Sequence, residues 1–431
     1  SAAYYLRTEG YPVTIFEKES RPGGMLVNGI PNFRLEKKVL EAEIDIMKQM
    51  GVKIRCGVEV GKDVTIQQLR DQGYKAFFLA TGLQSGGKLG VPGDDAQGVI
   101  PGIDFARKVN LEGEEAARLS GRVVVIGGGN IAADVARTAV RCGAESVTLY
   151  CLESYDEMPM GEEDRSECEK EGIVIRAGWG QTQVLTQDGR CTGITFRKCL
   201  SVKNDEGRFD PKFDDSVTET AYCGTVLYCI GKKPDWGKLL EGTRVEFNRN
   251  GTVKADPVTR QTAEPDIFVG GDVYTGPKFA IDAIAAGREG AESLHRFVQD
   301  GQSLTVGRNL REFYELDKND LVFGVDSFDR PARQPILHDA AKARSFEHDR
   351  LTFTEEQVKN EASRCLGCGV SVVDRNRCIG CGLCTTKCMF DAIHMQRDVP
   401  EASNMVRCED KVGPMLKHAA RQAVKIVRKA K

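Results

Sequence analysis

The chain has no uninterrupted apolar run of about 18 residues, the length a membrane-spanning helix needs, so no integral membrane segment is expected. It has no strong charge of one sign either. Its 431 residues carry a formal net charge of -3, which gives no electrostatic reason to expect a nucleic-acid partner. No secretory leader is expected from the opening residues. Histidine is scarce, with five residues and no compact cluster in sequence, so no histidine is a candidate acid or base. Residues 1–300 contain no Cys-x-x-Cys or Cys-x4-Cys pair, which weighs against dithiol–disulfide chemistry beside a cofactor.

Cysteine itself is abundant, and its distribution is uneven. Of 15 cysteines, eight lie between Cys56 and Cys229 and seven between Cys365 and Cys408. The first group reads as small buried apolar residues. A disulfide scaffold explains neither group, because a chain this long can build its own core. The expected compartment is a reducing cytoplasm. Hydrophobic residues make up 41% and charged residues 29%, an ordinary globular balance.

Two stretches read as nucleotide-binding units. In the first, Ser1–Gly10 reads as a helix, and Val13–Phe16 as a strand ending at Glu17. The first strand and glycine loop of such a βαβ unit normally precede that helix, so they are expected upstream of Ser1. Leu35–Gln49 has helical periodicity, and Lys75–Leu79 reads as a strand before a tight turn at Thr81-Gly82. In the second unit, Val123–Ile126 is a continuous apolar run, as in a parallel strand buried on both faces. The loop Gly127-Gly128-Gly129-Asn130 follows, then a helix from Ile131. Residues 173–229 read as strands with turns at 187–189 and 204–207. Asp266–Val269 returns as a strand that would complete the first unit, so the second unit is inserted in the first.

The fold class expected is therefore α/β: two Rossmann-like dinucleotide-binding domains, one inserted in the other, plus a small C-terminal module. The expected divisions are 1–115 and 236–300 for the outer domain, 116–235 for the inserted one, 301–360 for a connector, 361–410 for a cysteine-rich module and 411–431 for a basic helix. In that last helix Leu416, Ala420, Val424 and Val427 share one face. Packing against protein is favoured over a membrane surface, because these residues are mostly small.

Gly127-x-Gly129-x-x-Ala132, after an apolar strand and opening a helix, carries the nucleotide chemistry. Gly127 makes the tight turn, Gly129 admits the pyrophosphate, and Ala132 allows close helix–strand packing. Helix N-terminal amides, including those near Asn130 and Ile131, would face the phosphates. Glu153 follows the next strand and could bond adenosine ribose hydroxyls. No arginine lies between Ser146 and Met158. Both features favour NAD(H) over NADP(H). Glu17 fits the ribose-binding role in the other unit, which suggests FAD there. Asp272, after Gly270-Gly271, is placed to bond a polar part of that FAD.

Cys378-x2-Cys381-x2-Cys384-x3-Cys388 is iron–sulfur spacing, with Gly380 and Gly382 easing the loop. Structural zinc pairs usually span a longer loop. Cys365-x2-Cys368 lies upstream, and with Cys388 could serve a second cluster. Seven cysteines, Cys408 included, fall short of the eight that two all-cysteine [4Fe–4S] clusters need. Ser371 stands where a third upstream cysteine would fall, and Met389 replaces the usual proline. One or two clusters remain open. The candidate metal ligands are Cys365, Cys368, Cys378, Cys381, Cys384, Cys388 and Cys408.

Across residues 1–300 the chain resembles the family of the glutamate synthase small subunit and related NAD(P)H:FAD oxidoreductases. The stretches that carry the resemblance are 13–18, 23–31, 80–82, 124–134, 158–159 and 270–272. It implies FAD contacts at Glu17, Lys18, Gly24, Met25, Leu26, Thr81, Gly82, Gly271 and Asp272, and nicotinamide-nucleotide contacts at Gly127, Gly129, Asn130, Ile131 and Glu153. Members that use NADPH carry paired arginines just before the Met-Pro turn; here Leu152 and Glu153 occupy those positions. The C-terminal placement of the ferredoxin-like module resembles accessory oxidoreductases of anaerobes, including subunits of electron-bifurcating complexes.

These features imply electron transfer between NAD(H), FAD and [4Fe–4S] clusters, to or from ferredoxin or another redox subunit in a hetero-oligomeric complex. Hydride passes between bound cofactors, so no side-chain catalytic residue is expected. The alternatives are a glutamate synthase accessory subunit fed by NAD(P)H, and a non-catalytic scaffold or relay subunit.

Overall fold

A computed structural model of the chain describes residues 1–308, 332–364, 373, 378–387, 393–396 and 410–429. The chain forms two compact units, Ser1–Asp329 with Arg333–Val358, and Arg330–Ala332 with Lys359–Lys431.

In the larger unit, β1 (Thr14–Glu17) runs parallel to β2 (Lys53–Cys56). β3 (Phe77–Leu79) runs parallel to a strand from far along the chain, Ile267–Val269. Between those two partners in sequence come β4 (Val99–Pro101), β5 (Arg122–Ile126), β6 (Ser146–Cys151), β7 (Val174–Ala177), β8 (Trp179–Gln187), β9 (Arg190–Lys203), β10 (Phe209–Ala221) and β11 (Thr225–Tyr228); the late strand is β12. The opening helix Ala2–Thr8 lies against helix Ala280–Phe297, where the Tyr11 hydroxyl and His295 Nδ1 are bonded at 3.0 Å.

β4, β11, β5, β6 and β7 form one parallel sheet in that order. The order reverses at β5: β6 lies on one side and the much later β11 on the other. Crevices at such switch points are where open α/β sheets bind nucleotides. The edge strand β4 comes from residues before the expected boundary at 116.

β5 is apolar throughout because both of its faces are covered. Val123 and Val125 face helix Asn130–Arg141, whose Ala132, Ala133, Ala136 and Ala139 let it approach closely. Val124 and Ile126 face the antiparallel sheet β8–β9–β10, where Tyr150 stacks on Phe196 at 3.9 Å between centroids. The turn joining β8 to β9 falls at Asp188-Gly189, both with positive φ (51° and 74°), as two-residue hairpin turns require.

A polar connector was expected over 301–360. Residues 337–351 are polar, but they fold back onto the nucleotide domain. Leu351 N donates to Leu337 O (2.8 Å), and Asp339 N to Asp349 O (2.7 Å), closing a strap. Arg141 Nε donates to Ser345 O (2.7 Å) and Asn32 Nδ2 to Phe346 O (2.9 Å). The strap thus touches both the first part of the chain and the nucleotide domain.

Two clusters of ion pairs lie beneath it. Arg34, from the loop before helix Lys37–Gln49, pairs with Asp134 and with Asp164 (2.6 Å). Arg137 pairs with Glu167 and with Glu171 (2.7 Å), and Arg141 with Glu171 (2.6 Å). Arg350 of the strap reaches Glu163 (2.8 Å) and Glu167 (3.0 Å). The Arg141 and Arg137 guanidinium groups also cover the ring of Phe33, at 4.0 and 4.9 Å.

In the smaller unit the described elements are the end of helix Glu355–Ser363, helix Leu383–Lys387 and helix Val412–Lys429. Met415, Leu416 and Val424 of the last helix are exposed. No helix among the described residues is long and apolar enough to cross a membrane.

Removing one partner of a buried pair strands the other charge. Arg137→Ala is expected to cost roughly 3–5 kcal/mol, because it abandons both Glu167 and Glu171. Urea unfolding of the variant against the wild type measures this, and a loss below about 1 kcal/mol, the scale of an exposed pair, would refute a buried network.

Candidate cofactor sites

The glycine loop after β5 occupies the switch point. Gly127 has φ 144°, and its amide donates to Tyr150 O of β6 at 2.9 Å. A Cβ at Gly127 would lie 3.1 Å from both Cβ and O of Cys229, so the loop presses against the end of β11. Gly129 caps helix Asn130–Arg141 and faces open space. The following segment folds over the loop: Met160 N donates to Gly128 O (2.9 Å), and Gly161 N to Asn130 Oδ1 (3.1 Å). Ile131 lies in the first turn of the helix.

Glu153 lies where the sequence puts it, just past β6. A Cβ on Gly128 would meet its Oε2 at 2.5 Å, so the carboxylate hangs directly over the loop. The loop's open front, its free helix N-terminus and this overhanging acid fit the ribose–pyrophosphate part of a nicotinamide nucleotide.

The sites assigned to the second nucleotide lie in the outer part of the fold. Glu17 ends β1, accepts from Glu19 N (2.9 Å), and has its pKa raised by burial. Lys18 is exposed and paired with Asp235 at 3.2 Å. Gly24 has φ 54° and starts the short helix Met25–Asn28 that contains Leu26. Gly82 has φ 68°, and Thr81 O accepts from Gln84 Nε2 at 3.1 Å. Gly271 has φ 72° and caps the short helix Asp272–Thr275.

Sequence reasoning missed four polar side chains in this region. Asn28 is buried, with neither amide atom bonded among the described residues. Lys37 Nζ donates to Leu26 O (2.9 Å) and to Ile30 O, tying the 23–31 loop together; burial pushes its pKa down to about 8. Lys232, after β11, has its pKa lowered by burial and partly restored by Asp272. Asp272 has its pKa raised by burial, opposed by an amide bond from Lys278 and by Lys232. Arg34 is the fourth. Lys37 and Arg34 stand next to an ordinary helical pattern, so no local signal marked them. An orphaned buried amide, left-handed glycines and an acid–base pair reaching from β11 toward Asp272 suit a flavin dinucleotide.

Cys378, Cys381 and Cys384 are exposed, with Gly380 (φ 69°) and Gly382 (φ 75°) between them. Cys384 lies in helix Leu383–Lys387. Cys365, Cys368, Cys388 and Cys408 lie outside the described residues. Among the described residues no three metal-ligating side chains converge. As a donor set, soft thiolates at this spacing suit an iron–sulfur cluster.

Asp134 joins these sites to the ion network. Burial raises its pKa from 3.8 to about 6, against the pull of Arg34. A carboxyl that holds its proton more tightly when folded contributes most below its unfolded pKa, and this contribution is lost as pH rises through the folded value. Unfolding free energy should therefore fall between pH 4 and pH 6 by more in the wild type than in Asp134→Asn; equal slopes in urea titrations would disprove this. A side chain at Gly127 would strain the loop, so Gly127→Ala should weaken nicotinamide-nucleotide binding by about tenfold or more with flavin content unchanged. Calorimetric titration checks it, and unaltered affinity would remove this loop from the site.

The family model for pyridine nucleotide-disulphide oxidoreductases matches residues 1–287, and one for a 4Fe-4S binding domain matches residues 370–393. The chain is 35% identical to the NADP(+)-dependent formate dehydrogenase subunit beta of Moorella thermoacetica, over 85% of this chain and 52% of that protein. It is 31% identical to the NADPH-Fe(3+) oxidoreductase subunit beta of Geobacter sulfurreducens, over 85% of this chain and 59% of that protein. The chain thus spans little more than half the length of either relative. Mycobacterium tuberculosis FprA, solved in complex with NADPH, shares the fold with a TM-score of 0.58 at 17% identity, covering 69% of this chain and 81% of that one.

Two expectations change. The resemblance to glutamate synthase widens to the family, since the relatives include glutamate synthase small chains alongside subunits of other oxidoreductases. The preference for NAD(H) over NADP(H) is overturned, because both relatives are named for the phosphorylated nucleotide. The expectation rested on one carboxylate and on a window, 146–158, without arginine. The fold brings cations to that window from elsewhere: Arg165, from helix Glu162–Lys170, donates to Tyr155 O and covers the Tyr155 ring at 4.8 Å. The family's disulphide chemistry has no obvious seat here, since Cys56 is the single cysteine in residues 1–115 and 236–300. The chain belongs to the pyridine nucleotide-disulphide oxidoreductase family, as a member that carries a C-terminal iron–sulfur binding module.

Proposed function

We propose that the chain moves electrons between NADP(H), FAD and one or two [4Fe–4S] clusters, as a subunit of a larger cytoplasmic redox complex. The observation that carries this reading is the pairing, in one chain, of a glycine loop at a sheet switch point with a second nucleotide site and a Cys-x2-Cys-x2-Cys-x3-Cys module. When bound, FAD supplies the exchange between two-electron nicotinamide chemistry and one-electron cluster chemistry.

The residues of this chain bind and orient. Gly127, Gly129, Asn130 and Ile131 offer backbone amides to the nicotinamide nucleotide's pyrophosphate, and Glu153 its ribose. Glu17, Lys18, Gly24, Met25, Leu26, Thr81, Gly82, Gly271 and Asp272 hold FAD. Lys37 keeps the 23–31 loop closed through its two carbonyl bonds. Lys232 balances the charge of Asp272 beside the flavin. No side chain needs to exchange a proton with substrate. Cys378, Cys381, Cys384 and Cys388 hold one cluster, and Cys365, Cys368 and Cys408 contribute to a second. The divisions 1–115, 116–235, 236–300, 301–360, 361–410 and 411–431 serve this plan, with β4 lent by the first segment to the nucleotide sheet. The electron partner is ferredoxin or another redox subunit.

Anaerobic stopped-flow mixing of the FAD-loaded protein with NADPH tests the route. Flavin absorbance should bleach first and cluster absorbance afterward. In Cys381→Ser the first phase should persist, while iron content and the second phase fall. Absence of bleaching with FAD bound would overturn the reading in favour of a scaffold or relay subunit.

A further inference from the structure

If NADP(H) is the nucleotide, Glu153 poses a problem. A carboxylate beside the adenosine ribose repels a 2′-phosphate, and the arginines that serve this purpose in related proteins are absent at 152 and 153. The geometry resolves the conflict. The carboxylate and the backbone of Glu153 point to different places. The carboxylate lies over Gly128. The Glu153 carbonyl accepts from Gly178 N at 2.8 Å, which ties it to the end of β7.

Lys198 occupies that second side. It reaches across from β9 so that a Cβ on Gly178 would meet its Nζ at 2.8 Å. Its ammonium lies 5.2 Å from the centroid of Trp179. Lys198 is half-buried and has no carboxylate within ion-pair distance among the described residues. The nearby acid, Glu219, is already taken: it pairs with Arg176 and accepts from the Tyr150 hydroxyl at 2.7 Å. A lysine ammonium without a counter-ion among the described residues, beside the end of β7 and the Glu153 carbonyl, attracts an anion.

Arg165 is the second cation on this turn. One of its nitrogens is spent on Tyr155 O, while its buried Nε has no partner among the described residues. Asn130 and Met160 anchor the 154–161 segment to the glycine loop, so the turn that both cations approach is tied to the nucleotide site.

We propose that Lys198 and Arg165, brought to the Glu153–Tyr155 turn from β9 and from helix Glu162–Lys170, form the subsite for the nucleotide's 2′-phosphate. This rests on the NADP(H) reading above. Lys198 provides the charge, Arg165 adds to it and stiffens the turn, and Glu153 remains free to bond the ribose. Neither cation lies in the sequence window where nucleotide preference is usually read.

Isothermal titration calorimetry of the full chain with 2′,5′-ADP and with 5′-AMP tests this without turnover. The wild type should bind 2′,5′-ADP about tenfold or more tighter than 5′-AMP. Lys198→Gln should lose about tenfold on 2′,5′-ADP and less than about twofold on 5′-AMP, and Lys198→Arg should retain both. Arg165→Gln should lose affinity for 2′,5′-ADP by a smaller factor. Retained 5′-AMP affinity certifies that a variant is folded. A wild type that prefers 2′,5′-ADP with an unaffected Lys198→Gln variant would overturn the subsite alone, as would equal losses on both ligands. A wild type without preference for 2′,5′-ADP would overturn the NADP(H) reading and the subsite with it.

Discussion

The arrangement of the larger unit depends on two neighbouring clusters of ion pairs, one of Arg34 with Asp134 and Asp164, the other of Arg137, Arg141 and Arg350 with Glu167 and Glu171. Burying so many charges is costly unless each finds partners, and here five of the eight members have at least two charged partners. The pairs join four pieces of chain: the 28–37 loop of the outer domain, helix Asn130–Arg141 behind the glycine loop, helix Glu162–Lys170 and the strap. The first three pieces also carry part of a proposed cofactor site, or lie one turn from it. Arg34 follows the loop closed by Lys37, and Asp134 lies one turn into the helix that starts at Gly129. Charge pairing therefore ties together the segments that carry the two candidate nucleotide sites. Such pairing is directional and costly to rearrange, which suits two cofactors that must be held in register.

Acids outnumber bases in this network, since Glu163 also joins Arg350. Burial raises the pKa of one of these acids, Asp134, to about 6. Desolvation is the main cause, and the neighbouring Asp164 carboxylate adds a smaller push in the same direction. The Asp134 carboxyl sits one helical turn behind the glycine loop.

Much of this fold was legible in the sequence because its signals are local. The apolar run at 123–126, the glycine loop after it, the hairpin turns and the late return strand at 267–269 each declare themselves within a few residues. The network was not legible. Arg34 and Asp134 are 100 residues apart, and Arg350 and Glu167 are 183 apart. Each arginine reads locally as an ordinary surface cation. The strap over 337–351 was hidden for the same reason: its sequence is polar, and only its partners show that it is a packed element. Legibility of the cofactor sites follows the same division. Candidate glycines and acids at strand ends can be named from their local motifs, whereas Asn28, Lys37 and Lys232 acquire meaning only from burial and from neighbours distant in sequence.

Nucleotide preference shows what that division costs. A phosphate is recognised by the summed field at one point in space, to which side chains from any strand or helix can contribute. A sequence window sees only the contributors that are adjacent in the chain. At the β6 turn the adjacent contributor is Glu153, which is acidic, and the non-adjacent ones are Lys198 and Arg165, which are basic. The two sets need not compete, because the Glu153 carboxylate lies over Gly128 while its carbonyl side faces Gly178 and Lys198. Acid and base act on different oxygens of one nucleotide, so an acidic residue after the second strand does not by itself exclude a phosphorylated ribose. The antiparallel sheet β8–β10 then has a role beyond covering the parallel one: it is the element that carries Lys198 to the nucleotide face.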